Sequence, residues 1–343
     1  YNIVDRIYIG HIPGIGTQAL AGIGVAGSLI ILISAFSAIV AGGGAPLAAI
    51  ALGQGNRTHA GKILGNGFVL LLFFTLLTSG LSYLFMEPIL LFTGASEQTL
   101  GYATAYLSIY LIGTLFVEVS VGLNTFINTQ GRPGIAMLSI VIGALLNILL
   151  DPLFIFVFDW GVKGAALATI ISQACSAGWV LFFLTSRRLE PRYMRLDRKV
   201  VGAILALGAS PFIMASTESL VGFVLNGSLK TFGDIYVSAL TIMQSAMLFV
   251  SVPLAGFALG FVPIVSYNHG NRERVKECFK IVMTFMFLFN LVLILLMILF
   301  PSVIASAFTS DEKLIETVVQ VMPVFLAGMT IFGLQRACQN MFV

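Results

Sequence analysis

The sequence predicts an all-α polytopic membrane protein, and three observations carry that expectation. Of 343 residues, 58% are hydrophobic and only 10% are charged, against roughly 25% charged in soluble domains. The mean hydropathy is +1.00. Charge-free stretches recur at residues 63–86, 100–117, 164–186, 235–271, 281–310 and 317–335, at lengths near the ~20 residues a helix needs to cross a bilayer. Their period is helical, unlike the weak alternation of an outer-membrane barrel.

Ten membrane segments follow, at about residues 1–12, 18–53, 63–86, 98–127, 134–157, 163–186, 202–227, 235–267, 280–308 and 315–337. The connections between them sort by charge. One alternate set holds Arg57, Lys62, Arg132, Arg187, Arg188, Arg192, Arg195, Arg198, Lys199, Arg272, Arg274, Lys276, Lys280 and Arg336. The other holds only Lys163, Lys230 and Lys313 among Glu87, Glu97, Asp159, Asp234, Asp311, Glu312 and Glu316. Fourteen basic residues against three is a positive-inside bias, which puts the first set, and the N-terminal side of segment one, in the cytoplasm. A net charge of +3 distributed in this way points to the bilayer, and no nucleic-acid partner is expected.

The Arg-rich stretch 186–199 is the longest polar segment and reads as a linker. It divides residues 1–186, with six segments, from residues 202–343, with four, through a cytoplasmic linker at 187–201. A short repeat supports two related halves: Gly53-Gln54-Gly55-Asn56-Arg57 closes segment two, and Asn268-His269-Gly270-Asn271-Arg272 closes segment eight. Six segments between copies place both in the same orientation, a parallel repeat typical of transporters. Segment seven then corresponds to segment one, with Asn226 roughly opposite Asp5. The chain opens on Tyr1 in what reads as the interior of a helix, and it closes without a tail, so it reads as a fragment of a longer protein.

Asp151 is the most informative residue. It is the only charge in residues 141–158, and Asn147 precedes it by one helical turn, which puts both on one face. A charge at bilayer depth costs at least ~2.5–3.5 kcal/mol and is usually functional. Asp5, Glu118 and Glu218 are the other carboxylates well inside segments. No Lys or Arg is expected so deep, Arg6 being left open because it adjoins the start of the chain. Such a set is not a buried salt-bridge system. Burial disfavours its charged form, which suits a site that loads a proton or an oxygen-ligated cation, or a cavity that attracts organic cations. An anion path would instead turn Arg or Lys inward. Tyr106, Asn124, Asn147, Thr169 and Gln173 supply further polar groups in the first half, where they face protein or a cavity rather than lipid. The plain alternative for each is a hydrogen bond between helices. The three Cys show no CxxC and no metal-ligand spacing.

Five motifs carry a family resemblance. They are Asn2-Ile3-Val4-Asp5-Arg6-Ile7-Tyr8-Ile9-Gly10, Gly53-Gln54-Gly55-Asn56, Asn128-Thr129-Gln130-Gly131-Arg132-Pro133, Asn147-Ile148-Leu149-Leu150-Asp151-Pro152 and Gly164-Ala165-Ala166-Leu167-Ala168-Thr169. Together they resemble the multidrug and toxic compound extrusion (MATE) family, in its bacterial DinF- and MepA-like branches. The resemblance implies two six-helix lobes about a pseudo-twofold axis, the second lobe incomplete here for want of the last two helices. It implies cation-coupled export of cationic or amphipathic drugs by alternating access, in exchange for H+ or Na+, by a monomer in the bacterial inner membrane and without a cofactor. A chain lacking two helices is expected not to transport by itself.

Carried over by residue, the resemblance makes Asp5 and Asp151 the coupling site, with Asn147 and Thr169 beside them. A Na+ held there is the one metal the pattern allows. Tyr106 and Asn124 fall at supporting polar positions. Glu218 is similar to a second-lobe carboxylate, which with Asn226 marks a second drug or cation site. Glu118 matches no family position and stays open as a proton relay, a drug contact or a snorkelling carboxylate. The alternative function is a lipid-linked glycan flippase of the same superfamily, which requires basic residues in the cavity. An enzyme is not expected, because His11, His59 and His269 are isolated.

Overall fold

The computed structural model describes residues 2–185, 191–267 and 272–341. The helices are α1 (Asn2–Gly10), α2 (Gly16–Ile39), α3 (Ala45–Gly53), α4 (Arg57–Leu84), α5 (Met86–Phe92), α6 (Glu97–Thr129), α7 (Pro133–Pro152), α8 (Gly161–Thr185), α9 (Arg198–Lys230), α10 (Asp234–Tyr267), α11 (Arg272–Leu299), α12 (Pro301–Phe308), α13 (Glu312–Ala327) and α14 (Phe332–Met341). Two π-helical turns interrupt the pattern: Val40–Gly44 joins α2 to α3, and Leu153–Val157 extends α7. Eight helical stretches among the described residues are long and apolar enough to cross a membrane. Their outer faces carry exposed Leu76, Leu84, Ile112, Leu149 and Phe182, an arrangement that only lipid satisfies over so large an area.

Each of the ten expected segments has a helical counterpart among the described residues, and three of them depart from a single long helix. The first is the nine-residue α1. The ninth breaks at Phe300, where Pro301 disfavours helical geometry in the residue before it. The tenth breaks between α13 and α14, and the reason lies on another helix. Asn290 of α11 is fully buried and its Nδ2 donates to the carbonyls of Met329 (2.9 Å) and Thr330 (2.8 Å), which satisfies two groups that the break frees. Gly333 lets α14 approach: a Cβ there would lie 2.6 Å from the Met286 carbonyl oxygen.

The chain forms two compact units, Tyr1–Val237 and Ser238–Val343. In the first, α6 is the central post, packed against α8, α2 and α4. A capping box fixes its start, with Ser96 Oγ accepting from Thr99 N (3.2 Å) and Thr99 Oγ1 accepting from Ser96 N (2.9 Å). The recognised short motifs are largely turn chemistry. Gly55 takes φ 75° and Asn56 caps α4 through His59 N (3.0 Å), while Gly131 takes φ 73° just before Pro133 opens α7. The matching 268–272 motif of the second half lies, for residues 268–271, outside the described residues.

Within the first unit α9 runs along α2. Ser219 Oγ donates to the Ser28 carbonyl (2.6 Å), and Asn226 Nδ2 donates to Ser28 Oγ (3.1 Å). Toward the other end the backbones nearly touch. A Cβ at Gly43 would collide with the Ile204 carbonyl, and one at Gly208 with that of Ile39. Part of the basic connection is docked as well. Buried Asn66 of α4 donates to the carbonyls of Tyr193 (3.4 Å) and Arg195 (3.2 Å) and accepts from Asp197 N (2.8 Å).

Two outcomes follow from this packing. Gly43→Ala should destabilise by about 1–3 kcal/mol, because no flexible side chain can yield to the new methyl, while Gly53→Ala, with nothing within 4 Å, should be neutral or stabilising by up to ~1 kcal/mol; thermal unfolding in detergent reads both signs. Asn66→Leu should release residues 191–197, so that trypsin cuts after Arg192 and Arg195 much faster than in the wild type. Equal resistance to trypsin would show that the amide does not hold the segment.

Candidate functional site: a buried carboxylate pair

The site is built where α1 meets α7 and α8. On α7 the i,i+4 spacing puts Asn147 and Asp151 together, and Asn147 Nδ2 donates to Asp151 Oδ1 at 3.1 Å. Pro152 follows at once. It cannot donate a backbone hydrogen bond, and the helix continues as the π-helical turn Leu153–Val157; such turns frequently mark functional positions. The small residues of α8 allow a close approach. A Cβ at Gly164 would lie 2.6 Å from the Phe154 carbonyl oxygen, and Ala165, Ala166 and Ala168 are fully buried. Thr169 thus arrives beside α1, and its Oγ1 donates to Asp5 Oδ2 at 2.8 Å.

Asp5 also faces the side chains of Asp151 and Asn147. All four are enclosed: Asp5 is 2% exposed, Thr169 1%, Asn147 and Asp151 0%. Tyr106 of α6, stacked on Tyr110 with ring centroids 6.0 Å apart, faces Thr169. Three oxygens here, Asp5 Oδ1, Asp151 Oδ2 and Asn147 Oδ1, are buried with no hydrogen-bond donor. Buried acceptors are normally satisfied. Two facing carboxyls have acceptors to spare and no donor of their own unless one is protonated, so the geometry calls for a proton or an oxygen-ligated cation.

Arg6 corrects the sequence reading. The sequence leaves it open at the edge of an otherwise acidic set; in the fold its guanidinium is near enough to Tyr106 and Asp5 to act on both through its charge. It lies against Gly27 of α2, where a Cβ would come within 3.3 Å of Nη2. One helical step of about 100° separates Asp5 from Arg6, so the first turns to α7 and α8 and the second to α2. The missing side chain at Gly27 was the sequence signal for it.

The other expected residues lie elsewhere. Asn124 sits eighteen residues from Tyr106 on the same helix, about 27 Å along its axis. There Asn124 Oδ1 accepts from Ser139 Oγ (3.2 Å) and Ser176 Oγ donates to the Ser139 carbonyl (2.8 Å). Gln173 Oε1 accepts from Ser120 Oγ (2.6 Å). These form a polar ladder between α6, α7 and α8 that starts at Gln173, one turn from Thr169, and leads away from the carboxylate pair to Asn124. Glu118 turns toward α2, where Ser34 Oγ donates to it at 2.9 Å. Asn226 is buried on Ser28, whereas Glu218 is exposed, so the structure does not unite those two.

A groove of about 940 Å³ lies beyond the site, lined by Ile12, Glu97, Tyr102, Asp159, Trp160 and Val162 among others. Ile12 and Val162 are each seven residues, about 10 Å of helix, from Asp5 and Thr169. The mouth carries two carboxylates, Glu97 and Asp159, against one Lys163, beside aromatic Tyr102 and Trp160, and it opens at the end where the acidic connections lie.

Fold and site together define a multi-pass helical membrane protein with facing carboxyls at the meeting of three helices. The comparisons make the class specific. The MatE family model matches residues 1–153 and 211–343, and the chain belongs to the MATE family. The multidrug export protein MepA of Staphylococcus aureus (strain N315) is 27% identical over 255 residues, 73% of this chain and 56% of the relative. MepA of Staphylococcus saprophyticus is 28% identical over 254 residues, 72% and 56%. The chain thus matches a little over half the length of these curated relatives. The structure of the MATE multidrug transporter DinF-BH in complex with R6G is 30% identical with a TM-score of 0.84, covering all of this chain and 78% of that one. An inward-facing MATE transporter shares the fold at 21% identity and a TM-score of 0.83, covering all of this chain and 82% of that one.

Thr169→Val removes the donor to Asp5 Oδ2 at almost constant shape. It should cost about 1–3 kcal/mol, the range for stranding a buried acceptor, while Thr169→Ser should recover most of that; a thermal scan of the two purified variants checks the pair.

Proposed function

We propose that this chain supplies the ion-coupling half of a multidrug efflux antiporter, and that Asp5 and Asp151 together carry one monovalent cation, H+ or Na+, per cycle. The observation that carries it is the facing pair with three buried oxygens lacking a donor. Charge counting supports the number. Arg6 turns to α2 but acts on the pair through its charge, so it offsets part of the two negative charges, and a single proton or sodium ion brings the cluster near neutrality. Oxygen ligands suit a hard cation, and a carboxyl pair suits a proton equally. DinF-BH is a multidrug transporter seen in complex with R6G and the MepA relatives are multidrug export proteins, which supports cationic or amphipathic drugs as the exported class.

In this reading the cation enters from the acidic, aromatic groove and neutralises the pair. Loading removes the repulsion between α1 and α7, lets α1 close on α7 and α8, and weakens the hold on drug. Return inward releases the cation, and drug reloads. Each charge moved also contributes ~2.3 kcal/mol per 100 mV of membrane potential. The basic connections face the cytoplasm and the acidic ones the outside of a bacterial inner membrane, with two lobes rocking about the path and a monomer sufficient for the cycle. Glu218, exposed on α9, and Asn226 remain the second-half positions to test for drug contact. One guanidinium among two carboxylates leaves the site anionic, which disfavours a glycan pyrophosphate and hence a flippase.

Efflux of a fluorescent organic cation from liposomes holding the full-length protein tests the proposal. Under an imposed H+ or Na+ gradient, Asp151→Asn and Asp5→Asn should each reduce the initial rate at least tenfold with folding retained. Gradient-driven efflux that persists in both variants would reduce the pair to helix–helix glue.

A further inference from the structure

Glu118 is not part of the carboxylate pair. It lies twelve residues beyond Tyr106 on α6, about 18 Å along the axis, toward the basic Arg132 end. It is 2% exposed, well inside a stretch long and apolar enough to span the bilayer. Its surroundings are hydroxyl and hydrocarbon. Ser34 Oγ of α2 donates to Oε1 at 2.9 Å, and Ser37, whose own hydroxyl donates to the Ser34 carbonyl (2.8 Å), lies against the same carboxyl. One turn on, a Cβ at Gly122 would meet Leu71 of α4 and, at 3.5 Å, Ser37 Cβ. No titratable or charged side chain acts on Glu118 from α2, from α4 or from α6 itself among the described residues.

A structural hydrogen bond to two serines needs no carboxyl there; a Gln or a Ser makes it without a charge to desolvate. A carboxyl kept in such a place, with hydroxyls able to serve either its neutral or its ionised form, is what reversible protonation requires. The helix it touches also matters. Ser34 and Ser37 immediately precede the π-helical turn Val40–Gly44, and the backbone meets that of α9 at the end of α2 (Ile39 with Gly208) and within the turn (Gly43 with Ile204). A change of charge at Glu118 therefore acts on the helix that packs along α9 within the first unit.

We infer that Glu118 is a second proton-binding site of this chain, separate from Asp5 and Asp151, whose protonation sets how α2 is held. Neutral Glu118 keeps its place between α2, α4 and α6. Ionised Glu118 draws water or moves Ser34 and Ser37, and so loosens α2 just ahead of its π-helical turn. The inference stands whether or not the carboxylate pair is the coupling site.

Infrared difference spectroscopy of the purified chain, stepped between acid and alkaline pH, reads the protonated carboxyl directly through its C=O stretch. A band that disappears on alkalinisation, is missing in Glu118→Gln and survives in Asp151→Asn is the expected result. Ser34→Ala, which leaves the carboxyl in place and removes its donor, should move that band to higher frequency, and it serves also if Glu118→Gln folds poorly. A Glu118 band indifferent to pH would mean a permanently neutral structural acid. No band difference between wild type and both variants would mean a permanently ionised one. Either result overturns the inference.

Discussion

Two carboxyls that face each other out of reach of water leave buried oxygens without a donor, and the architecture of the first unit is arranged around them. Asp151 owes its place to one turn of α7 and to Asn147 beside it, and Asp5 to a nine-residue helix lodged against α2, α7 and α8. In hydrocarbon there is little hydrophobic drive for helices to associate, so small residues and hydrogen bonds set the contacts. The Gly164–Thr169 stretch supplies both. It lets α8 press on the π-helical turn after Asp151, and it delivers the Thr169 hydroxyl to Asp5.

The same economy recurs wherever the helices must break or touch. Asn290 receives the carbonyls freed between α13 and α14, Asn66 holds the connection ahead of α9, and Ser28 receives both Ser219 and Asn226. Each is a polar residue in an apolar helix, and most of them are helix–helix glue. What distinguishes Asp5 and Asp151 is that each is a carboxyl that keeps a buried oxygen unsatisfied. Asn147, Asn226 and Asn290 also keep one, but an amide has no second charge state, so none of them loads an ion by titration on its own; Asn147 matters because it adjoins the pair.

Much of this was legible in the sequence because the signals were local. The spacing of Asn147 and Asp151, the small-residue run before Thr169 and the charge alternation of the connections each follow from helical geometry alone. What escaped depended on rotation and depth. Arg6 differs from Asp5 by one step around α1, and only the bare backbone at Gly27 showed that it could turn inward. Asn124 belongs to the same half as Asp151, but half-membership does not give depth, and on a 33-residue helix eighteen residues separate it from Tyr106. The break in segment ten was invisible because the side chain that permits it lies some forty residues earlier. The partners of Glu118 come from α2, eighty-four residues away.

The claim on which the rest depends is that the Asp5–Asp151 pair exchanges one positive charge. Proton uptake by the purified chain, measured in lightly buffered, sodium-free solution as alkaline protein is acidified, tests it most directly. With sodium absent, only a proton can neutralise the pair. The wild type should take up about one proton per chain more than Asp151→Asn over that range. Identical uptake curves for the two proteins would show that the pair does not titrate and would contradict the account.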